Sequence, residues 1–182
     1  MDMDINKILD INYLKENNTR IYYFGLGFIQ IVLNKYERIH FYTDELPTTN
    51  EDIHNHRYNF TSTILKGKFR NDKYKLISGD THILKNESCN VDKELENNVS
   101  LTVSVELTES KEYKQGDSYD MFYNEFHAVD YTGDTITYLE RTDIITDYAQ
   151  VVYRKDSEEV CPFSNKVDVD KLWEIVESIL TK

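Results

Sequence analysis

Two of the five histidines in this chain, His54 and His56, are separated by one residue, Asn55; the others stand at positions 40, 82 and 127. On an extended strand, side chains at i and i+2 project to the same face, so both imidazoles can meet one ion while Asn55 points away. Neutral imidazole is a ligand for Zn, Fe, Cu or Ni, but two ligands seldom hold a metal. A third donor has to come from elsewhere. His127 is the candidate, because a turn within the stretch from Tyr119 to Val129 separates two extended runs and leaves this histidine at the start of the second.

Other groups are placed by the same alternation. Tyr58 shares the parity of His54 and His56, and Tyr123 that of His127, so each is a candidate catalytic group facing the interior. Arg57 and Arg141 are candidates for gripping a substrate carboxylate or phosphate, since the guanidinium fork fits either. A surface ion pair competes with that role for both, and more so for Arg57, whose parity points outward. His40, in the alternating stretch Arg38-Ile39-His40-Phe41-Tyr42, is either a substrate-binding neighbour of the site or a hydrogen-bonded core group. His82 reads as a solvated turn residue, Glu125 as facing away from His127, and Cys161 before Pro162 as packing. No nucleophile elbow, P-loop or dinucleotide fingerprint occurs.

The elements that must position these groups are mostly strands. Ala128 and Ala149 are the only alanines, whereas aromatic and β-branched residues abound. Short apolar runs broken by Asn, Asp and Gly predict strands over 22–33 (interrupted at Gly25 and Gly27), 38–43, 54–66, 68–77, 81–87, 100–107, 118–123, 127–131, 135–141 and 148–154. This spacing suits a sandwich or barrel. Helical spacing of Ile5, Ile8, Leu9, Ile11 and Leu14 predicts an N-terminal helix. Val169, Leu172, Trp173, Val176, Ile179 and Leu180, with Asp168 as cap, predict a C-terminal amphipathic helix covering the sheet core. The whole of 1–182 reads as one domain: a helix over about 5–16, a barrel over about 20–155 and a helix over about 168–181.

Charge narrows the partners. With 33 acidic against 21 basic side chains and a net charge of -12, the chain lacks the cationic surface that nucleic acid or an anionic membrane requires. Cys89 and Cys161 are too few for a disulfide framework, and the start Met-Asp-Met-Asp has no secretory pattern. A cytoplasmic chain with reduced thiols and a small-molecule ligand is the expectation, and edge strands leave a homodimer open.

The run from Asp52 to Gly67 resembles the first metal motif of the cupins, the double-stranded β-helix barrels, in which His-x-His is followed by Glu and then Gly. Gly67 is in place, while Phe60 or Thr61 occupies the position of the Glu. Phe122-Tyr123-Asn124-Glu125-Phe126-His127 keeps the spacing and final histidine of the second motif without its Pro and Gly. The similarity spans most of the chain from about Arg20, including Cys161-Pro162-Phe163 and Leu172-Trp173. What remains of the motifs is a three-histidine set, His54, His56 and His127, similar to the cysteine dioxygenase-like branch. The cysteine that mammalian-type thiol dioxygenases carry shortly after His-x-His has no counterpart, which counts against cysteine itself as substrate.

The resemblance implies a mainly β, cupin-type double-stranded β-helix barrel and a divalent metal, Fe(II) first, with Zn, Mn or Ni as alternatives. It implies dioxygenation of a small polar or anionic molecule. Two other readings stay open: a non-catalytic barrel that binds a metabolite or nucleotide-type signal, and a metal-assisted isomerase or hydrolase.

Overall fold

The computed structural model describes residues 5–46, 48, 53–87, 100–157 and 166–182. Cys89 and the Cys161-Pro162-Phe163 segment lie outside them. Asp10 splits the N-terminal helix in two: its carboxylate accepts the backbone N–H groups of Asn12 and Tyr13 at 2.8 and 3.0 Å, which caps α2 (Ile11–Asn17) and ends α1 (Ile5–Ile8). At the other terminus Asp168 caps α3 (Val169–Thr181) through the N–H of Asp170.

Eleven strands are formed among the described residues: β1 (Arg20–Phe24), β2 (Phe28–Val32), β3 (Glu37–Tyr42), β4 (Ile53–His54), β5 (Phe60–Lys66), β6 (Lys68–Glu87), β7 (Leu101–Lys114), β8 (Ser118–Met121), β9 (Phe126–Tyr131), β10 (Thr135–Arg141) and β11 (Ala149–Arg154). They make two antiparallel sheets, ordered β1-β2-β3-β10-β5-β8 and β11-β4-β9-β6-β7, and β11 also pairs with the far end of β6. With its terminal helices this is a mainly β fold of two antiparallel sheets, as the strand-rich sequence predicts.

Alternation along β3 sorts the two faces of the first sheet. Ile39 and Phe41 join Ile29, Ile31, Ile136 and Tyr138 in a core sealed by Leu14 and by Leu172, Ile175, Val176 and Ile179 of α3. Arg38, His40 and Tyr42 take the opposite face, toward the second sheet, where Tyr42 packs on Phe69 of β6 and Tyr131 of β9 with ring centroids 6.2 and 5.2 Å apart.

Three expected boundaries shift. The strand over 54–66 is interrupted between His54 and Phe60, because Asn55 leaves the ladder to clamp Gln150: its N–H donates to the Gln150 carbonyl at 3.0 Å and its Oδ1 accepts the Gln150 N–H at 2.6 Å. The two strands expected over 68–77 and 81–87 are one, β6, with a register shift against β7 between Ile77 and His82. β7 runs on past Leu107 to Lys114, paired throughout with β6.

Candidate metal centre

His54 and His127 are brought together by strand pairing, since they are directly opposed where β4 meets β9. His56 arrives by another route: it stands beyond the end of β4, carried inward by the chain that the Asn55 clamp redirects. The three imidazole centroids form a nearly equilateral triangle with sides of 4.8, 4.9 and 5.1 Å. One nitrogen of each ring lies within 4.8 Å of the other two, and among the described residues no other three His, Cys, Asp or Glu donors come together in this way.

His56 Nε2 and His127 Nε2 are 2.9 Å apart. That is a hydrogen-bond distance between the two imidazoles, and it brings both nitrogens to a point where they could face one ion. The tautomer of His127 suits this geometry. Its Nδ1–H donates to Oδ1 of buried Asn71 at 2.7 Å, while the Asn71 amide points to Met121 Sδ at 3.7 Å. The proton sits on Nδ1, so the Nε2 lone pair faces the other histidines.

Their surroundings keep His56 and His127 unprotonated. Burial first, then the charges of His54, His127, His40 and Arg38, hold His56 well below its ordinary range; burial, His54 and Lys73 do the same for His127. Phe60 walls the group, its ring 4.7 Å from His56 and 6.3 Å from His127. Among the described residues no carboxylate joins the three imidazoles. His54 also borders a cavity of about 680 Å³, large enough for a small ligand, shared with Tyr74, Tyr131 and Arg154.

The remaining expected residues divide. Tyr58 is buried beside His56, with ring centroids 5.8 Å apart, and its hydroxyl accepts a hydrogen bond from Arg38 Nη1 at 2.8 Å. Arg141 lies with its guanidinium 4.8 Å from the Tyr58 ring centre. His40 is buried on the same sheet face as Arg38, and its Nε2 meets Gln30 Oε1 at 3.0 Å; burial, then Arg38, lowers its pKa to about 3. Arg57 is half-buried, and its carbonyl accepts the N–H of Ile145 at 2.7 Å. Tyr123 falls in the turn after β8, where its backbone N–H is held by Asn59 Oδ1; no ring contact joins it to the histidines. Glu125 accepts the N–H of Phe122 in that turn and pairs with Lys73 at 3.0 Å. His82 bonds Thr81 Oγ1 on the surface.

Two residues of the neighbourhood escaped the sequence reading, Asn71 and Arg38. The signal was parity: Asn71 alternates with Phe69 and Arg38 with His40, so each is a polar group on an inward face.

No family model matches the chain. No curated protein matches it either. Among solved structures, a protein of unknown function from Vibrio parahaemolyticus is similar at 13% identity and TM-score 0.34, over 67% of this chain and 98% of that one. Hydroquinone 1,2-dioxygenase from Sphingomonas sp. TTNP3, solved with 4-hydroxybenzoate bound, is similar at 7% identity and TM-score 0.36 over 78% of each chain. The E. coli protein ycfD is similar at 11% identity and TM-score 0.33, over 80% of this chain and 38% of that one.

Proposed function

We propose that this chain is a metal-dependent, cupin-like enzyme of the three-histidine type, with Fe(II) held by His54, His56 and His127 and a small polar or anionic molecule oxygenated beside it. The observation that carries this reading is the 2.9 Å approach of two Nε2 atoms, one of them presented as a lone pair by Asn71, within a triangle of imidazoles of which His127 is buried and His54 and His56 partly so. Held by three neutral imidazoles, a ferrous ion would supply oxygen chemistry and an undiminished positive charge that favours an anionic molecule. Asn71 orients His127, Phe60 and Tyr58 exclude water from the His56 side, and His40 with Gln30 fixes the inner wall.

Elemental analysis of protein made without a histidine tag tests this, with a His54→Ala/His127→Ala double variant prepared alongside. We expect near-stoichiometric metal in the parent after anaerobic Fe(II) loading, its loss in the variant, and oxygen uptake by the iron form. Zn, Mn or Ni bound without oxygen uptake would favour an isomerase or hydrolase. Equal absence of metal from parent and variant overturns the enzyme reading in favour of a ligand-binding barrel.

A further inference from the structure

Arg38 and Arg141 approach one another on the inward face of the first sheet. Arg38 on β3 pairs with Leu139 on β10, two residues before Arg141, and Phe60 pairs with Arg141 from the other side. Their guanidinium groups lie 5.2 and 4.8 Å from the centre of the same ring, that of Tyr58. That ring in turn lies 5.8 Å from His56.

Each guanidinium is half engaged. Nη1 of Arg38 donates to the Tyr58 hydroxyl at 2.8 Å, and Nη1 of Arg141 to the Thr142 carbonyl at 3.1 Å. Nε of each is buried and has no hydrogen-bond partner among the described residues. A buried N–H on a charged group left unpaired is costly, and native proteins keep few of them without a ligand or ion to satisfy them. Nor is the charge matched: among the described residues neither arginine makes an ion pair. Asp143, a carboxylate whose charge acts on Arg141, is exposed and held by Lys35 at 2.6 Å. Arg57 adds a third positive charge near Arg141, and burial first, then Arg38 and Arg57, lower the Arg141 pKa. In a chain of net charge -12, this is a local concentration of unpaired positive charge.

We propose that Arg38 and Arg141 together bind a doubly charged oxyanion group of the ligand, a phosphate or a pair of carboxylates, beside the three histidines. The Nε-bearing edge of a guanidinium offers parallel N–H donors to two oxygens, and two such edges match the four or more lone pairs and two charges of a dianion better than a single carboxylate does. Tyr58 is then a positioning residue, which supports both guanidinium groups from one ring. This inference rests on the reading of the histidine site as a small-molecule centre, but the anion site is built from different residues and can be tested without metal.

The test is calorimetric titration of chelator-treated protein with inorganic phosphate, malonate and acetate at equal ionic strength. Phosphate or malonate is expected to bind at least tenfold more tightly than acetate, and which of the two wins identifies the oxyanion. Arg38→Gln and Arg141→Gln should each weaken that binding tenfold or more, while Lys68→Gln, at an exposed pair with Glu112, should leave it within twofold. Should a Gln variant fail to fold, Arg38→Lys and Arg141→Lys keep the charge without the fork and should still lose severalfold. The His54→Ala/His127→Ala variant should lose metal yet keep phosphate binding, so the two readings fail separately. Equal affinity for acetate and the dianions, or binding unchanged by the arginine substitutions, overturns the proposal.

Discussion

Asn71 on β6 and His127 on β9 are joined by a 2.7 Å hydrogen bond from Nδ1–H to Oδ1, on the side of the imidazole away from His56. The acceptor fixes where the histidine keeps its proton, and therefore which nitrogen is free. Asn71→Leu keeps the approximate volume and removes the acceptor. Metal affinity is expected to fall by about 10- to 100-fold, as it does when such a partner is lost elsewhere. The buried Nδ1–H left without a partner should also cost about 1–3 kcal/mol of stability. A competition titration against a chelator of known affinity reads the first effect and urea unfolding the second; unchanged metal affinity would mean that Asn71 does not set the tautomer.

Alternation made much of this arrangement legible. It put His54 and His56 on one face and marked Arg38-Ile39-His40-Phe41-Tyr42 as an alternating strand, with His40 as a possible neighbour of the site. His56 was placed correctly for a reason that does not hold: it lies past the end of β4, and the Asn55–Gln150 clamp, a contact 95 residues apart in sequence, turns it inward. Tyr123 failed by the same mechanism, because the turn from Phe122 to Glu125 ends the parity count before reaching it. Gly79 lies in the break expected between 68–77 and 81–87, but a Cβ there would fall 2.5 Å from Ser104 Cβ; this glycine lets β7 pass close by within one continuous β6. Long-range pairing decides such cases, and local sequence does not encode it.

Gly67, between β5 and β6, has φ +75°, and a Cβ there would lie 2.6 Å from Thr135 Oγ1 and 2.7 Å from the Asp134 carbonyl. The left-handed backbone alone costs an L-residue about 1–2 kcal/mol, and the carbonyl cannot swing aside as a side chain would. Gly67→Ala is therefore expected to destabilise by about 2 kcal/mol or more, measured by urea unfolding. Gly116→Ala, also at positive φ but with nothing within 4 Å of the added carbon, should cost distinctly less. Equal costs would show that the crowding at Thr135 is relieved freely.

Ile179 of α3 is fully buried against the face of the first sheet that points away from the histidines. Ile179→Ala deletes three carbons from a close-packed site and should cost about 2–5 kcal/mol in unfolding free energy. Its metal content after loading should equal that of the parent, because the substitution touches only the helical layer. Loss of metal along with stability would show that the two faces of the sheet are coupled.

His40 gives the fold a pH dependence with a definite sign. Burial first, and then Arg38, lowers its folded pKa to about 3, against about 6.5 in an unfolded chain. Between these values the unfolded state binds the proton and the folded state does not, so stability falls as pH drops below about 6.5 and levels off near 3. Above about 6.5 neither state is protonated there and His40 contributes no slope. From pH 6.5 to 5 its share is roughly 1–2 kcal/mol, at 1.36 kcal/mol per unit at most. In metal-free protein His56 and His127 act in the same direction, so the parent loses more than this. His40→Gln keeps an N–H for Gln30 Oε1 but cannot take up the proton. Urea midpoints measured for metal-free parent and variant at pH 7.5, 6 and 5 should therefore converge as pH falls, the variant showing the shallower decline. Parallel declines would place His40 in contact with water and remove it from the buried wall of the site.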